Sequence, residues 1–449
     1  MPAERLSAIE RLSAIPDAPR IMARDRDLPV GQAANASQAA LADLVCGEHG
    51  YWARYKGLKL TSHFQPIYSL SHCRAIGHEG LLRAVDGNGL ALSPASVIGS
   101  TEGSGELQYL DRLCRFLHVA NYDHLGADGL LFLNLHPEIV SSGPDGALGE
   151  FLPELIEGAG LSPTRIVIEV MEQAVEDDCG FAKTLDYMRD LGCLIAMDDF
   201  GAGHSNFDRI WTLKPDLVKL DRGFALRVMA DSRAHRLLPQ IAGFIHEAGA
   251  LVLLEGVETC EQATLALDAD VDFVQGYYFG MPAPRPVSTD AAHKAIEELW
   301  HGYSSRQLDA TNRYRGAIAP YERAIYIAAM RLQRGKPMAE SCAGFHALAW
   351  AQLCYLLDGS GWQIGPGVAA PQAETAKSGM GIDNALPEHT CWSRRPYFQR
   401  AVQQPEKVQV SRPYLSLSSG KVCVTVSIAF RHQGELRVLC GDVALPHRY

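Results

Sequence analysis

A (β/α)8 barrel joined to a smaller α+β domain is the fold the sequence predicts, and three observations carry it. Between about Leu58 and Pro284, short apolar runs alternate with longer stretches of helical periodicity, separated by Gly and Pro. Nearly every one of these runs contains a polar residue or ends on one. Past Pro284 the alternation stops, and helical text gives way to strand-like runs of a second kind.

The elements follow in order. Residues 1–56 carry Leu6, Ile9, Leu12 and Ile15 on an amphipathic spacing, then polar, Ala-rich text with Pro19 and Pro29. An N-terminal arm, partly helical, is expected there, ending in a helix near Ala39 to Tyr55. Residues 57–285 form the barrel, with strand-length runs at Ile76 to Leu82, Leu130 to Leu135, Arg165 to Val170, Cys193 to Met197, Leu217 to Leu220, Leu251 to Leu254 and Phe273 to Tyr278. Between them, segments such as Phe181 to Leu191 and Ala234 to Ala248 repeat apolar residues at spacings of three and four, as helices packed on a sheet require. Seven or eight such units in about 230 residues suit an eightfold barrel. Residues 286–340 read as a helical connector, with helices at Asp290 to Tyr303 and Tyr321 to Arg334. From 341 to 449 a different domain is expected, with a helix at Phe345 to Leu357 and strands around Trp362 to Ile364, Val408 to Val410, Val422 to Phe430 and Glu435 to Val443.

Composition narrows the function. A chain of 449 residues, 47% hydrophobic and 21% charged, is long enough for two or three cores of ordinary globular character. Its net charge of −11 lacks the basic stripe that tracks a polynucleotide backbone, so long nucleic acid is not an expected partner. The 11 cysteines are scattered and include no Cys-x-x-Cys pair, which disfavours a disulfide framework and a structural zinc site. No apolar run approaches the roughly 18 to 20 residues that span a bilayer, and the first 30 residues mix Glu, Arg and Asp where a signal peptide is apolar. The expectation is a cytoplasmic protein without membrane insertion.

The polar residues of the barrel runs are Glu79, Asn134, Glu169, Asp198, Asp199, Lys219, Glu255 and Gln275. In a barrel the C-terminal ends of parallel strands meet on one face, so side chains far apart in sequence gather around one point. Five carboxylates so close raise one another's pKa values unless a cation compensates. Oxygen ligands suit Mg²⁺ or Mn²⁺, and the lack of a His or Cys cluster argues against zinc. The adjacent Asp198 and Asp199 suggest two ions, because one carboxylate can bridge while its neighbour binds the second. Such a pair, about 3.5 to 4 Å apart, can activate water for phosphodiester hydrolysis. Taken alone, Asp198-Asp199 is also ordinary turn chemistry, and Lys219 could be a core lysine paired with Asp221. The series as a whole is what favours a site.

Glu79-Gly-Leu-Leu-Arg83, preceded by Phe64-Gln65-Pro66-Ile67, resembles the Glu-Ala-Leu-Leu-Arg signature of the EAL phosphodiesterases. Asn134, Glu169-Val-Met-Glu172, Asp198-Asp199-Phe-Gly-Ala-Gly203, Lys219-Leu-Asp221-Arg222, Glu255-Gly-Val-Glu258 and Gln275-Gly-Tyr-Tyr-Phe-Gly280 follow in that family's order. The resemblance implies a TIM-like barrel that hydrolyses cyclic di-GMP to linear pGpG with two Mg²⁺ or Mn²⁺ ions, in a homodimer. It implies Glu79, Asn134, Glu169 and Asp198 as ligands of one ion and Asp198 with Asp199 as ligands of the other. Lys219 would stand beside the attacking water, with Glu255 positioning water and metal. Gln65, Leu82, Arg83 and Gln275 would face the substrate, Arg83 offering a planar fork to a phosphate. Glu172 would anchor the loop from Asp199 to Asn206, and Glu258 would support the site from behind. Gly80 departs from the signature's Ala, with a modest effect expected. His204 and Asn206 replace the usual Tyr and Ser, which bears on loop regulation and dimer strength.

Tyr355-Leu-Leu-Asp358-Gly-Ser-Gly361, Arg395-Pro-Tyr397-Phe398, the text from Val410 through Tyr414, and Val422-Cys-Val-Thr-Val-Ser resemble a PAS or Cache-type sensor. That resemblance implies an unidentified small ligand near Arg395 to Tyr414; a packed dimerisation module is the equal alternative. The rival to hydrolysis is a receptor that binds cyclic di-GMP without cleaving it, but the chain has every metal ligand and the lysine that receptor versions lose. A pure interaction scaffold would leave the polar ring without a purpose.

Overall fold

The computed structural model describes residues 43–140, 161–174, 179–202, 207–230, 232–288, 290–373, 390–416 and 422–445. The amphipathic stretch at Leu6 to Ile15, and His204 and Asn206, lie outside the described residues. The chain divides into two compact units, one ending at Ser304 and one beginning at Ser305.

In the first unit eight strands close a barrel. In chain order they are Leu58–Ser69, Arg74–Val85, Leu130–Leu135, Ile166–Met171, Leu194–Phe200, Leu217–Leu220, Leu251–Leu254 and Phe273–Val274. Seven run parallel; Leu58–Ser69 is antiparallel to both of its neighbours, Arg74–Val85 and Phe273–Val274. The reason is local. Only four residues, with Cys73 at φ 52°, join Leu58–Ser69 to Arg74–Val85, and a parallel crossover needs a dozen or more. This is the strand missing from the sequence-predicted runs. Lys59, Thr61, Ser62, His63 and Gln65 break it up between Leu58 and Pro66, so no continuous apolar run marks it.

Of the region expected as a helix near Ala39 to Tyr55, residues 39–42 lie outside the described residues, and the rest contains an antiparallel hairpin instead, Leu44–Gly47 with Gly50–Tyr55, which extends the sheet from Leu58–Ser69. Tyr51, Trp52 and Tyr55 suit strands better than helices. Gly50, at φ 113°, permits the turn, and a β-carbon there would lie 2.4 Å from Asn121 Oδ1.

Strand alternation sorts the core into two layers. Leu130, Phe132, Val167, Leu194, Ala196, Leu217, Leu253 and Phe273 fill the barrel interior, while a larger cluster packs between strands and helices. Because strand side chains repeat with period two, each interior residue fixes where the second residue after it points.

In the second unit an antiparallel sheet runs in the order Val368–Ala369, Ala351–Asp358, Glu435–Ala444, Val422–His432, Gln409–Val410, with Tyr414–Leu415 also paired to Val422–His432. With its helices this is the smaller α+β domain expected. One face packs against Ile325, Ala328 and Ala329 of helix His293–Gln333 and Phe345 of helix Met338–His346. Gly441 makes room for that packing, since a β-carbon there would meet the Phe345 ring at 2.5 Å.

Two expectations change. His293–Gln333 is one helix of 41 residues through Pro320, not two. The helix expected at Phe345 to Leu357 ends at His346, and Ala351–Asp358 is a strand paired with Glu435–Ala444, alternating only over its last four residues, where Tyr355 and Leu357 are buried and Leu356 and Asp358 half-buried. Trp362 and Gln363 make isolated bridges rather than a strand.

Candidate active site

The site grows directly from the barrel interior. Two positions beyond Phe132, Val167, Ala196, Leu217, Leu253 and Phe273 come Asn134, Glu169, Asp198, Lys219, Glu255 and Gln275, so each of these six interior residues is followed on its face by a polar one at the barrel mouth. Glu79 is registered beside Phe132 on the neighbouring strand and joins the ring.

Lys219 is at its centre. Its side chain is 1% exposed, and its Nζ lies 2.5 Å from Glu169 Oε1, 2.8 Å from Glu255 Oε1 and 2.9 Å from Asp198 Oδ1. Burial works against the ammonium, but Asp198, Glu169, Glu255 and Glu79 together raise its pKa well above the ordinary value. Among the described ion pairs Lys219 is not joined to Asp221, whose Oδ1 accepts from the Gly223 N–H at 2.8 Å.

One lysine does not balance five carboxylates. Burial raises the pKa of Glu169 well above normal, against the pull of Lys219 and with the help of Glu79 and Asp198. Burial also pushes Glu255 up to about 8, opposed by Lys219 and assisted by Asp198 and Glu79. Asp199 is raised by burial, then by Asp198 and Asp221.

The donor set fits divalent cations on three counts. Glu169 Oε2 and Gln275 Oε1 are buried without a hydrogen-bond partner. Asp198, Asp199 and Glu255 each bring a carboxylate oxygen within 4.8 Å of the others. All ligand atoms are hard oxygens.

Glu79 is fixed from two sides, accepting from Asn134 Nδ2 at 3.0 Å and from Gln275 Nε2 at 2.7 Å. Gln275 also donates to Gln65 Oε1 at 3.2 Å, and Gln65, registered opposite Glu79, donates to the Gly280 carbonyl at 3.3 Å. Four of the expected residues thus form one chain of amides and carboxylate.

Arg83 is half-buried and donates to the Leu82 carbonyl at 2.8 Å; among the described residues no carboxylate pairs with it. Leu82 departs from expectation. It is 7% exposed and packs in the layer between strands and helices, three positions from Glu79 and therefore on the opposite face. Leu81 takes the face shared with Glu79 and Arg83, and the period of two could have identified it.

Glu172 is 2% exposed, accepts from Arg209 Nη1 at 3.0 Å and meets the Gly201 N–H at 3.4 Å. It therefore touches both flanks of the loop after Asp199. Glu258 is more exposed and pairs with Arg222 at 3.0 Å on the surface, a contact of small energetic weight. Sequence reading missed Arg209 and Arg227; neither falls in a strand-end position, so no periodic signal singles them out.

The profile of the EAL domain family matches residues 55–282, and the chain belongs to that family. It is 28% identical over 285 residues to the cyclic di-GMP phosphodiesterase RocR of Pseudomonas aeruginosa, covering 62% of this chain and 68% of RocR. It is 24% identical over 404 residues to the EAL-domain containing protein YkuI of Bacillus subtilis, covering 86% and 94% of the two chains. The crystal structure of the YkuI protein, in complex with c-di-GMP and calcium, shares its fold with a TM-score of 0.73 at 22% identity, over 87% of this chain and 97% of that one. The chain spans only 32% and 28% of the length of two further relatives, from Azorhizobium caulinodans and Bacillus subtilis. Among the described residues no helix is long and apolar enough to cross a membrane.

Proposed function

We propose that this chain hydrolyses one phosphodiester bond of cyclic di-GMP, giving linear 5'-pGpG, in a reaction that depends on two Mg²⁺ or Mn²⁺ ions. The observation that carries the reading is the mouth of the barrel, where five buried or half-buried carboxylates surround a single lysine and leave buried oxygens unpartnered. Glu79, Asn134, Glu169 and Asp198 would hold one ion and Asp198 with Asp199 the other, Glu255 standing in the same shell. Bound there, the ions supply Lewis-acid activation of water and charge for the leaving oxygen.

The protein's own groups do the rest. Lys219, held charged by its three carboxylate partners, is a donor at a fixed point and orients water without taking its proton. Glu255 accepts a hydrogen bond from that water and sets its direction. Gln275 and Asn134 fix the Glu79 carboxylate, so the ligand geometry exists before ions arrive. Arg83, unclaimed by a carboxylate among the described residues, offers its fork to a substrate phosphate, beside Gln65.

The wider reading has residues 57–285 as the catalytic barrel, 286–340 as a connector and 341–449 as a PAS or Cache-like sensor. Regulation by that sensor, a cytoplasmic location and a homodimer belong to the same reading. Exposed Phe207 and Trp211, at 42% and 55%, support a protein contact near the loop after Asp199. Arg395, 5.7 Å from the Trp392 ring and 5.8 Å from that of Tyr414, supports a small ligand in the second unit.

The test is incubation of the purified chain with cyclic di-GMP and Mg²⁺ or Mn²⁺, with chromatography of the products. Formation of pGpG by the wild type and its loss in Glu79→Ala and Lys219→Ala is expected. Binding without turnover would assign the chain to the receptor class instead.

A further inference from the structure

Asp199 occupies left-handed backbone, φ 57°, and opens a tight turn in which the Ala202 N–H returns to its carbonyl at 3.1 Å and Gly201 takes φ 96°. For a residue with a side chain that conformation costs on the order of 1 kcal/mol and persists only where surrounding contacts impose it. Those contacts converge on one peptide. The Gly201 N–H points to Glu172 Oε2 at 3.4 Å, and the Gly201 carbonyl accepts from Arg227 Nη2. The other oxygen of Glu172 accepts from Arg209 Nη1 at 3.0 Å. Arg209 stands on helix Asp208–Leu213, at the far end of the same loop, and is itself 27% exposed, whereas Glu172 is 2% exposed.

The orientation of a buried carboxylate follows from the donors that hold its oxygens, and Arg209, itself partly open to solvent, is one of the donors that hold Glu172. We propose that Arg209 is a positioning residue for the aspartate pair. By pairing with Glu172 it fixes the carboxylate that fixes the Gly201 peptide, and so holds Asp199, two residues earlier, in the geometry that binds a divalent cation. Arg209 touches neither Asp198 nor Asp199; it acts through Glu172. The inference rests on the metal-dependent reading above and deepens it.

Manganese binding to the purified chain, followed by the electron paramagnetic resonance signal of free Mn²⁺, tests it without relying on turnover. Wild type, Arg209→Ala and Arg209→Lys are compared, together with their melting temperatures in the absence of metal. The expected result is an affinity about tenfold weaker in Arg209→Ala, in the range seen when a group behind a ligand is removed. The metal-free melting temperature should change little, and Arg209→Lys should recover part of the loss. Equal Mn²⁺ affinity in wild type and Arg209→Ala, with the wild type binding, overturns this inference and leaves the hydrolase reading standing. So does a loss of affinity that only tracks a lower melting temperature. No Mn²⁺ binding by the wild type removes both.

Discussion

Gly80 and His118 are fitted to each other. A β-carbon built on Gly80 would meet His118 Cγ at 3.0 Å, and the ring is pinned by a 2.8 Å hydrogen bond between its Nδ1 and Ser62 Oγ. The one departure within the signature therefore answers to the helix behind the strand, on the face away from the site. Gly80→Ala is expected to lower stability by about 1 to 2 kcal/mol, as overpacking does, while leaving the affinity for divalent metal unchanged. Denaturant unfolding checks this, and in the His118→Ala background the penalty should disappear.

Lys219 predicts a second behaviour. Removing it leaves Glu169, Asp198 and Glu255 crowded without a counter-charge. Lys219→Met should melt lower than wild type in the presence of chelator, and Mn²⁺ should raise its melting temperature more than it raises that of the wild type. For the wild type, saturation at about 100 times the dissociation constant adds roughly 2.7 kcal/mol. Calorimetry with chelator and with Mn²⁺ measures both, and an identical metal response in the two proteins would argue against the crowded-ring account.

In the second unit, Asp442 gives a pH dependence. It is 6% exposed, accepts from Thr425 Oγ1 at 2.8 Å, and burial pushes it from 3.8 to about 6. The folded state therefore holds its proton more tightly than the unfolded chain. Its contribution is full below about pH 4 and is lost as pH rises to about 6, amounting to roughly 3 kcal/mol across that window. Other carboxylates titrate in the same range, so the readout is the difference between wild type and Asp442→Asn. That difference should shift in favour of the variant as pH rises from 4 to 7; a constant offset would contradict it.

The opposite placements of Leu81 and Leu82 separate folding from binding. Leu82→Ala should cost about 2 to 5 kcal/mol of stability, as a buried leucine does, with little change in KM. Leu81→Ala should leave unfolding nearly unchanged and raise KM for cyclic di-GMP. Paired melting and kinetic measurements decide, and the reverse pattern would return Leu82 to the substrate face.

These cases show what the sequence can carry. Seven barrel strands were legible because parallel strands are buried on both sides and read as apolar runs, and the site was legible because each run delivers a polar residue at its end. Leu58–Ser69 escaped as a strand because half its residues are polar. The Ala39 to Tyr55 and Phe345 to Leu357 expectations failed because short mixed stretches satisfy helical and strand periods alike, and tertiary pairing decides between them. Arg209 and Arg227 were invisible because their partners, Glu172 and the Gly201 carbonyl, lie at chain separations that follow no periodic spacing.

The central claim is that the oxygens at the barrel mouth hold paired cations where cyclic di-GMP is cut. Anomalous diffraction at the manganese edge, from crystals of the chain grown with Mn²⁺ and cyclic di-GMP, tests it most directly. The account predicts two peaks, one among Glu79, Asn134, Glu169 and Asp198 and one at Asp198 and Asp199, with a phosphate of the nucleotide bound to both. A nucleotide seated at the mouth with no anomalous peak beside it, or peaks only at other places on the protein, would contradict it.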